Sequence, residues 1–393
     1  MSVLKTDFGG DRGDLFQLAL KTGVLTVLTL GLYRFWQTTR MRRWYWSSVR
    51  PGNSPMEYTG SPLEMLMGFF FAVIVLAIYL TIFNVGYMFG LTQLMRVSPE
   101  AFFYGFIATP VALIPLYFVA QYRSRRYLLA RTRWRGIRMA MEPGAWGYAW
   151  RACMYWTLTI ITLGLLWPLM TFQLEKYLTD RTWFGNARFT QFGHFGRLYG
   201  PIIPFLLGVY GTIALVVYAV MSNELTFFWY VPMTVVLAGL GAAYYRVSTI
   251  RVMAGLKLLG DGLEFDIHPS TRKLLRIQIM GNLLSGLLVS LVSPVILGLV
   301  LGALFALGLI TKETIFSMPV NLSIFVSAIT SLVVFVLLGV FRQVFVTYPM
   351  VRHFAETLEI FEPSLLSGIR QRRADNGADG GGFAEALDVG AAF

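Results

Sequence analysis

The amino-acid sequence predicts a polytopic α-helical membrane protein. The expected architecture has about six transmembrane helices in three pairs, two re-entrant or interfacial helical segments, and short repeated β-hairpins on the cytoplasmic face. Three observations lead to this fold class: apolar runs of bilayer-spanning length, basic residues concentrated in every second polar segment, and a repeated pattern within those basic segments.

Composition places the chain among membrane proteins. Its 393 residues are 56% hydrophobic and only 14% charged, whereas soluble domains carry about 25% charged residues. The formal net charge of +12 would also suit a nucleic-acid-binding protein. Here the cations lie between long apolar runs, so the sequence favours a membrane and gives no reason to expect nucleic acid as a partner.

The apolar runs give the expected crossings, because about 20 predominantly apolar residues in a helix span a bilayer core. A sixth and longer run extends from Leu274 to Ile310; it is expected to kink at Pro294 and to begin at the membrane interface near Arg272. Short loops join the six runs into three pairs. The five clear runs are 62–90, 101–120, 198–221, 226–245 and 322–341.

The distribution of basic residues predicts the orientation. Most of the 33 Lys and Arg residues fall in five segments that would share one side of the membrane. Short loops rich in Lys and Arg remain in the cytoplasm, so these segments and the C-terminus are expected there. The segments are 34–61, 121–145, 173–197, 246–276 and 342–373.

Two further apolar runs, 15–36 and 146–172, conflict with this orientation if both cross the membrane. Every basic segment after residue 172 would then face outward. We therefore expect both runs to enter the bilayer and return, or to lie at its interface. Each contains a Thr-Leu-Gly-Leu sequence, at 29–32 and 162–165, where glycine permits a sharp turn. The alternative is two ordinary tilted crossings, as in an inverted-repeat transporter.

The basic segments also repeat a β-hairpin pattern, in which basic and aromatic residues precede a turn such as Gly52-Asn53 or Gly185-Asn186. Such turns between short alternating stretches indicate hairpins. Four hairpins are expected to form a small sheet on the cytoplasmic face; independent basic loops are the alternative. The units lie near 40–61, 125–145, 176–197 and 251–272, with a fifth beginning at Arg352, in one membrane domain over 1–373 that precedes a disordered tail at 374–393.

These repeats resemble a known family. The sequence Thr-Leu-Gly-Leu-Tyr-Arg-Phe-Trp at 29–36, followed by Arg42-Arg43-Trp44-Tyr45 and by Glu57-Tyr58-Thr59-Gly60, is similar to the YjgN-like family of bacterial inner-membrane proteins. A variant copy follows between Thr162 and Phe189, with Leu166 in place of Tyr33. The resemblance implies an inner-membrane location. It implies no settled activity and brings no catalytic residues.

Several residues are candidates for contact with lipid. Within the apolar runs, Lys21 and Arg151 could attract an anion or a lipid headgroup, although cations near helix ends also extend to the interface without a further role. Asn84 and Asn282 are candidate polar residues inside the membrane, with hydrogen bonds between helices as the alternative. Basic and aromatic residues expected to meet anionic headgroups at the membrane surface are Arg42, Arg43, Trp44, Arg125, Arg126, Tyr127, Lys176 and Tyr177.

Catalytic patterns are not found in the sequence. The three histidines, His194, His268 and His353, lie in separate basic segments, and Cys153 is the only cysteine. This combination disfavours a metal site, and no nucleotide-binding or nucleophile motif occurs. No enzyme activity and no cofactor are therefore expected. Gly298, Gly302 and Ala306 form a small-residue ridge that would suit helix packing within one chain or in a homo-oligomer.

Two functions remain open from the sequence. The favoured one is a channel or transporter-like protein for a small solute or lipid. Proton or sodium coupling is disfavoured, because the acidic residues lie outside the centres of the six runs. The alternative is a non-enzymatic scaffold that binds lipid or a partner through its basic face. A lipid-modifying enzyme ranks below both.

Overall fold

The structure, a computed structural model, describes residues 3–95, 101–260, 262–311 and 319–372. The predicted tail at 374–393 and the predicted loops near Arg96 and Lys312 lie outside these residues. Within them, the α-helices are α1 (Arg12–Leu28), α2 (Arg34–Ser48), α3 (Pro62–Met95), α4 (Ala101–Ala130), α5 (Ala145–Ile161), α6 (Trp167–Thr179), α7 (Tyr199–Ser222), α8 (Val231–Ala254), α9 (Thr271–Ala306), α10 (Val320–Arg342) and α11 (Tyr348–Glu356).

Five stretches of helix are long and apolar enough to cross a membrane, and this confirms the predicted membrane class. They correspond to five of the six predicted runs. The remaining predicted run, 101–120, lies in the 30-residue helix α4, which contacts α3. The stretches are Pro62–Gly90, Phe195–Ser222, Leu225–Ala254, Thr271–Ala306 and Val320–Glu356.

Two of these helices differ in detail from the sequence prediction. Helix α9 is a single assigned helix of 36 residues that contains Pro294; the kink expected there stays a prediction. The last run does not end at residue 341. A π-helical turn at Gln343–Thr347 joins α10 to α11, so the helical path continues to Glu356.

The β-strands are short and form one antiparallel sheet. They are β1 (Val3–Phe8), β2 (Val49–Pro51), β3 (Met56–Tyr58), β4 (Thr132–Trp134), β5 (Ile137–Met141), β6 (Thr182–Phe184), β7 (Ala187–Gln191), β8 (Lys257–Leu259), β9 (Leu263–Ile267) and β10 (Leu358–Phe361). Their order is β2-β1-β10-β9-β8-β7-β6-β5-β4-β3. Three of the four predicted units contain a paired hairpin, namely β4–β5, β6–β7 and β8–β9. The prediction of a hairpin in the first unit was wrong, because its strands β2 and β3 pair with β1 and β4 and not with each other.

The sheet curves into a barrel-like ring. The two strands at the ends of its order, β2 and β3, are consecutive in the chain and contact each other. The prediction of a fifth hairpin after Arg352 was wrong in one respect, because that unit supplies only β10. Strand β10 lies between β9 and β1, with Leu4 of β1 opposite Ile360. The sheet therefore joins the two ends of the described chain.

Apolar residues from distant strands meet inside this ring. Trp134, Phe184 and Leu259 are buried in one cluster with Leu263, Ile360 and Leu366. Leu366 belongs to the 3₁₀ segment Pro363–Gly368 that follows β10. Residues of five different strands can share one cluster only if they point to the same interior. Alternation along each strand then places the intervening residues, such as Arg133, Trp183 and Arg188, on the outer face.

The helices are arranged in a ring, in the order in which they occur along the chain. Each helix from α1 to α10 contacts the next, with the 3₁₀ segment Phe195–Leu198 joining α6 and α7, and α10 contacts α1. The pairs α3–α4, α7–α8 and α9–α10 are long. The pairs α1–α2 and α5–α6 are short, with 17 and 15 residues in the first and 17 and 13 in the second.

The two short helix pairs turn at the predicted Thr-Leu-Gly-Leu sequences. The φ angles are +50° and +94° at Leu30 and Gly31, and +51° and +95° at Leu163 and Gly164. In both turns the glycine N–H donates to a carbonyl five residues earlier at 2.7 Å. Because each pair connects strands of the same sheet, each leaves the sheet and comes back to it.

Candidate binding cavity at the mouth of the sheet

A cavity of about 580 Å³ lies where the helices reach the sheet. Residues near the C-terminal ends of α4 and α8 line it, together with one side of α6. The inner face of the sheet contributes Phe189, Phe265 and Leu358. We refer to this space as the ring-mouth cavity. It lies on the helix side of the buried apolar cluster that fills the ring.

Three charged side chains form an ion-pair network in the ring-mouth cavity. The Glu175 carboxylate accepts from the Lys257 ammonium at 2.6 Å. It also accepts two hydrogen bonds from the Arg125 guanidinium, at 3.3 and 3.4 Å. Glu175 and Lys257 have side-chain exposures of 25%, and Arg125 has 38%. The network therefore carries one net positive charge in a partly desolvated place.

The two cations keep Glu175 ionised. Burial alone would raise the pKa of the Glu175 carboxyl, but the neighbouring Lys257 and Arg125 cations outweigh burial and lower its pKa to about 2. Glu175 is thus a fixed anion near neutral pH. Most N–H donors of Arg125 and Lys257 make no other hydrogen bond among the described residues, so they can donate to a further anion.

The rest of the cavity wall is mainly apolar. Leu174, Leu178, Ile250, Met253 and Ile267 contribute aliphatic surface. A small polar group stands at the α4–α5 side, where the Tyr148 hydroxyl donates to the Gln121 side-chain oxygen at 3.1 Å. Apolar walls with a few convergent polar groups are typical of sites for amphiphilic or small organic ligands.

One predicted membrane-surface residue, Arg125, lies in this cavity.

Three other predicted cations make the same kind of hydrogen bond to the backbone of their own unit. Arg43 donates to the carbonyl of Gly60 at 2.9 Å, and Arg126 donates to that of Met141 at 3.0 Å. Lys176 donates to that of Gln191 at 2.6 Å. In each unit a cation on the helix before the hairpin binds the backbone where the outgoing strand ends, which stabilises the hairpin on its helix.

The remaining members of that predicted group also have partners within the protein. The guanidinium of Arg42 lies 5.8 Å from the Tyr58 ring centre, and the Trp44 ring lies 5.1 Å from that of Tyr45. Tyr127 is fully buried and donates to Glu64 at 3.1 Å. Tyr177 is buried and donates to the carbonyl of Gly144 at 2.9 Å. Contact of these residues with lipid stays a prediction.

The predicted intramembrane residues lie apart from the cavity. Lys21 is exposed on α1, whereas Arg151 is exposed on α5, with its guanidinium 4.8 Å from the Tyr177 ring centre. The two cations lie in different short helix pairs. Asn84 and Asn282 are exposed and donate to carbonyls of their own helices, at Leu80 and Gln278, both at 2.7 Å.

Glu175 and Lys257 were missed as site residues, although the repeats contained a signal for each. Glu175 stands where the preceding unit has Arg125, seven residues before the first residue of the next strand. Lys257 is the first residue of β8, a position that Thr132 and Thr182 occupy in the neighbouring units. Glu175 therefore places an anion where the preceding unit has a cation, and Lys257 places a cation where the neighbouring units have a neutral threonine. Comparison of equivalent positions would have singled them out together.

The ring of helices, the five bilayer-length stretches and the single sheet define a polytopic α-helical membrane protein with a barrel-like sheet on one end. Residues 3–386 match the family model described as "Bacterial protein of unknown function (DUF898)", and the chain belongs to this family. The resemblance to YjgN-like proteins is consistent with this membership. No curated protein and no solved structure matches the chain.

Proposed function

We propose that this protein is a transporter-like membrane protein that binds an anionic amphiphile, such as a lipid with a negatively charged headgroup, in the ring-mouth cavity. The observation that carries the proposal is the combination of the Arg125–Glu175–Lys257 network with apolar walls. The net positive network would bind the headgroup, and the apolar wall would receive the adjoining chain. A wholly hydrated ion would make little use of that wall.

The helices support the apolar half of this proposal. Each helix of the ring contacts mainly its two neighbours, so most of its surface remains uncovered. Only 6% of the most apolar part of α3 is buried within the protein, and the same holds for α9. Surfaces of this kind are solvated by hydrocarbon rather than water. The uncovered apolar helix surfaces are therefore suited to contact with acyl chains that extend between the membrane and the cavity.

The single sheet supports a topology with all hairpins on one side. Because β1 to β10 belong to one sheet, every helix pair starts and ends at the same side of the protein. The short pairs α1–α2 and α5–α6 would then be re-entrant, and the basic hairpins would face the cytoplasm of a bacterial inner membrane. In a Cys153→Ser background, cysteines at Arg135, which is exposed in the β4–β5 turn, and at Gly262 should resist a membrane-impermeant thiol reagent in intact cells and react after lysis. Labelling in intact cells would contradict this topology.

Lipid passage can be measured in proteoliposomes with fluorescent phospholipids whose outer-leaflet copies are quenched by dithionite. We expect faster exchange for an anionic than for a zwitterionic headgroup. Lys257→Met should slow the anionic lipid by roughly tenfold, the effect of losing one charge-assisted hydrogen bond. Glu175→Gln should act in the opposite direction, because it removes the competing carboxylate and raises the positive charge of the cavity.

Two sets of variants complete this experiment. Arg272→Ala removes an exposed cation at the start of α9, outside the cavity lining, and should leave the rates unchanged. Lys21→Ala and Arg151→Ala test the cations singled out from the sequence. If wild type, Lys257→Met and Glu175→Gln exchange both lipids at equal rates, the ring-mouth cavity is not the site of lipid passage.

The second candidate function is a scaffold that binds lipid or a partner through its basic sheet. Exposed arginines of the sheet, such as Arg135 in the β4–β5 turn and Arg188 on the outer face of the ring, favour it. In this case the purified protein in nanodiscs of neutral lipid should bind anionic vesicles in a salt-sensitive manner and show no lipid exchange.

A further inference from the structure

Two arginine side chains lie against Trp183 on the outer face of the ring, and backbone hydrogen bonds place two further arginines nearby. The guanidinium of Arg372 lies 4.8 Å from the Trp183 ring centre, and that of Arg188 lies 5.8 Å from it. The backbone N–H of Arg138, on the neighbouring strand β5, donates a hydrogen bond to the Gln371 side-chain oxygen at 2.8 Å. Arg370 exchanges two hydrogen bonds with Asn186, at 2.8 and 2.9 Å. We call Arg138, Arg188, Arg370, Arg372 and Trp183 the arginine patch.

The arginine patch carries a net positive charge. In residues 3–95, 101–260, 262–311 and 319–372, none of its four guanidinium groups lies within ion-pair distance of a carboxylate. The Nε atom of Arg138 is buried and has no hydrogen-bond partner among those residues. Two carboxylates border the patch: Glu142 accepts from the Trp183 indole N–H at 2.8 Å, and Asp180 pairs with Lys176 at 3.3 Å while its backbone carbonyl accepts from the Arg188 guanidinium at 2.6 Å. The four arginines and Lys176 outnumber these two carboxylates, so this surface is net positive and favours an anionic ligand.

The chain itself supplies a segment of the opposite charge next to this patch. Residues 374–393 contain four acidic residues and no Lys or Arg. The first of them, Asp375, comes three residues after Arg372, so it lies within about 11 Å of that residue along the chain. The second, Asp379, can reach about 25 Å. Neighbouring strands are only about 4.8 Å apart, so this acidic segment can reach every residue of the arginine patch.

We propose that the acidic C-terminal segment 374–393 docks on the arginine patch of its own chain. Charge complementarity selects the segment, and the covalent connection gives it an effective concentration that a free anion does not have. Docking would also hold the preceding residues in place. Among these, Leu366 is buried in the apolar cluster inside the ring, so docking would stabilise the packing of the segment that follows β10.

The proposal can be tested by quenching of a bimane fluorophore by tryptophan, which requires close approach. The fluorophore is attached to an Ala378→Cys variant of the full chain in a Cys153→Ser background, in nanodiscs of neutral lipid. We expect Trp183→Phe to increase the fluorescence at low salt. Raising the ionic strength from about 0.01 to 1 M should have the same effect, because the Debye length falls from about 30 to 3 Å.

Charge reversal identifies the groups involved. Arg188→Glu with Arg372→Glu should shift the ratio of released to docked segment by roughly tenfold, because several weak exposed ion pairs are lost together. Adding Asp375→Arg and Asp379→Arg should restore quenching. Arg272→Glu, which reverses an exposed cation on α9, should change nothing. Fluorescence that changes neither with Trp183→Phe nor with salt would overturn the proposal. Quenching that disappears on dilution with unlabelled protein would also overturn it, because the segment would then bind a second copy of the chain.

Discussion

Replacing Gly241 with valine is expected to destabilise the protein by about 3 kcal/mol or more. A Cβ atom at Gly241 would lie 2.6 Å from the Phe205 Cα and 2.7 Å from the Pro204 carbonyl carbon, both of them backbone atoms of α7. Backbone atoms of a packed helix cannot move aside as a flexible side chain can. The α7–α8 pair would have to separate and lose the close contact that holds two apolar helices together in lipid. The midpoint of unfolding in SDS–detergent mixtures measures this effect.

The same helix provides a matched control for this prediction. A Cβ atom at Gly239 would have no neighbour within 4 Å, so Gly239→Val introduces the same side chain without the clash. Gly208→Val on α7 should behave like Gly241→Val, because its Cβ would lie 2.6 Å from the Ala238 Cα. If Gly239→Val and Gly241→Val unfold at the same midpoint, α7 and α8 are not packed as described.

Replacing Lys257 with methionine is expected to destabilise the protein by about 2 kcal/mol. Removing one partner of a buried ion pair costs about 3–5 kcal/mol, and the partial exposure of Glu175 and Lys257 reduces that cost. The loss arises because Glu175 retains its charge with only Arg125 as a cationic partner. The stability of the purified protein in detergent at neutral pH, measured by thermal unfolding, tests the prediction.

A second substitution separates the ion pair from the volume of the side chain. Adding Glu175→Met to Lys257→Met removes the carboxylate that has lost one of its two cationic partners. It should recover part of the lost stability, since replacing both members of the Lys257–Glu175 pair by apolar groups is often nearly neutral and Arg125, 38% exposed, can be hydrated. A double variant as unstable as Lys257→Met alone would show that packing, rather than charge, sets the effect. The stability measurement does not depend on lipid exchange. The stability prediction can therefore prove wrong while the result of the transport assay still stands.

The local features of the fold were predictable because their signals are local. Gly52-Asn53 and Gly185-Asn186 mark tight turns, and the stretches beside them are short and alternate. The two Thr-Leu-Gly-Leu sequences adopt nearly the same turn, with φ near +95° at Gly31 and Gly164. Apolar run length likewise located the long helices. Each of these inferences required only neighbouring residues.

The features that were missed depend on partners far away in the sequence. The segment Val3–Phe8 has no turn that joins it to a neighbouring strand, because β10 and β2, its partners, begin at residues 358 and 49. Barrel-like closure therefore could not be read from the hairpins alone. The site was missed for a similar reason: Arg125, Glu175 and Lys257 belong to three different units, and only the folded ring brings them together.

The pairing of β1 with β10 has a consequence for how the protein is made. A ribosome releases β1 at the start of synthesis and β10 only after more than three hundred further residues. Until then β1 can use only the edge that pairs with β2, and its other edge has no partner strand. Ring closure should thus be the last step of biogenesis, and a chain interrupted before Leu358 would be left with two open edges that are prone to pair with other nascent proteins.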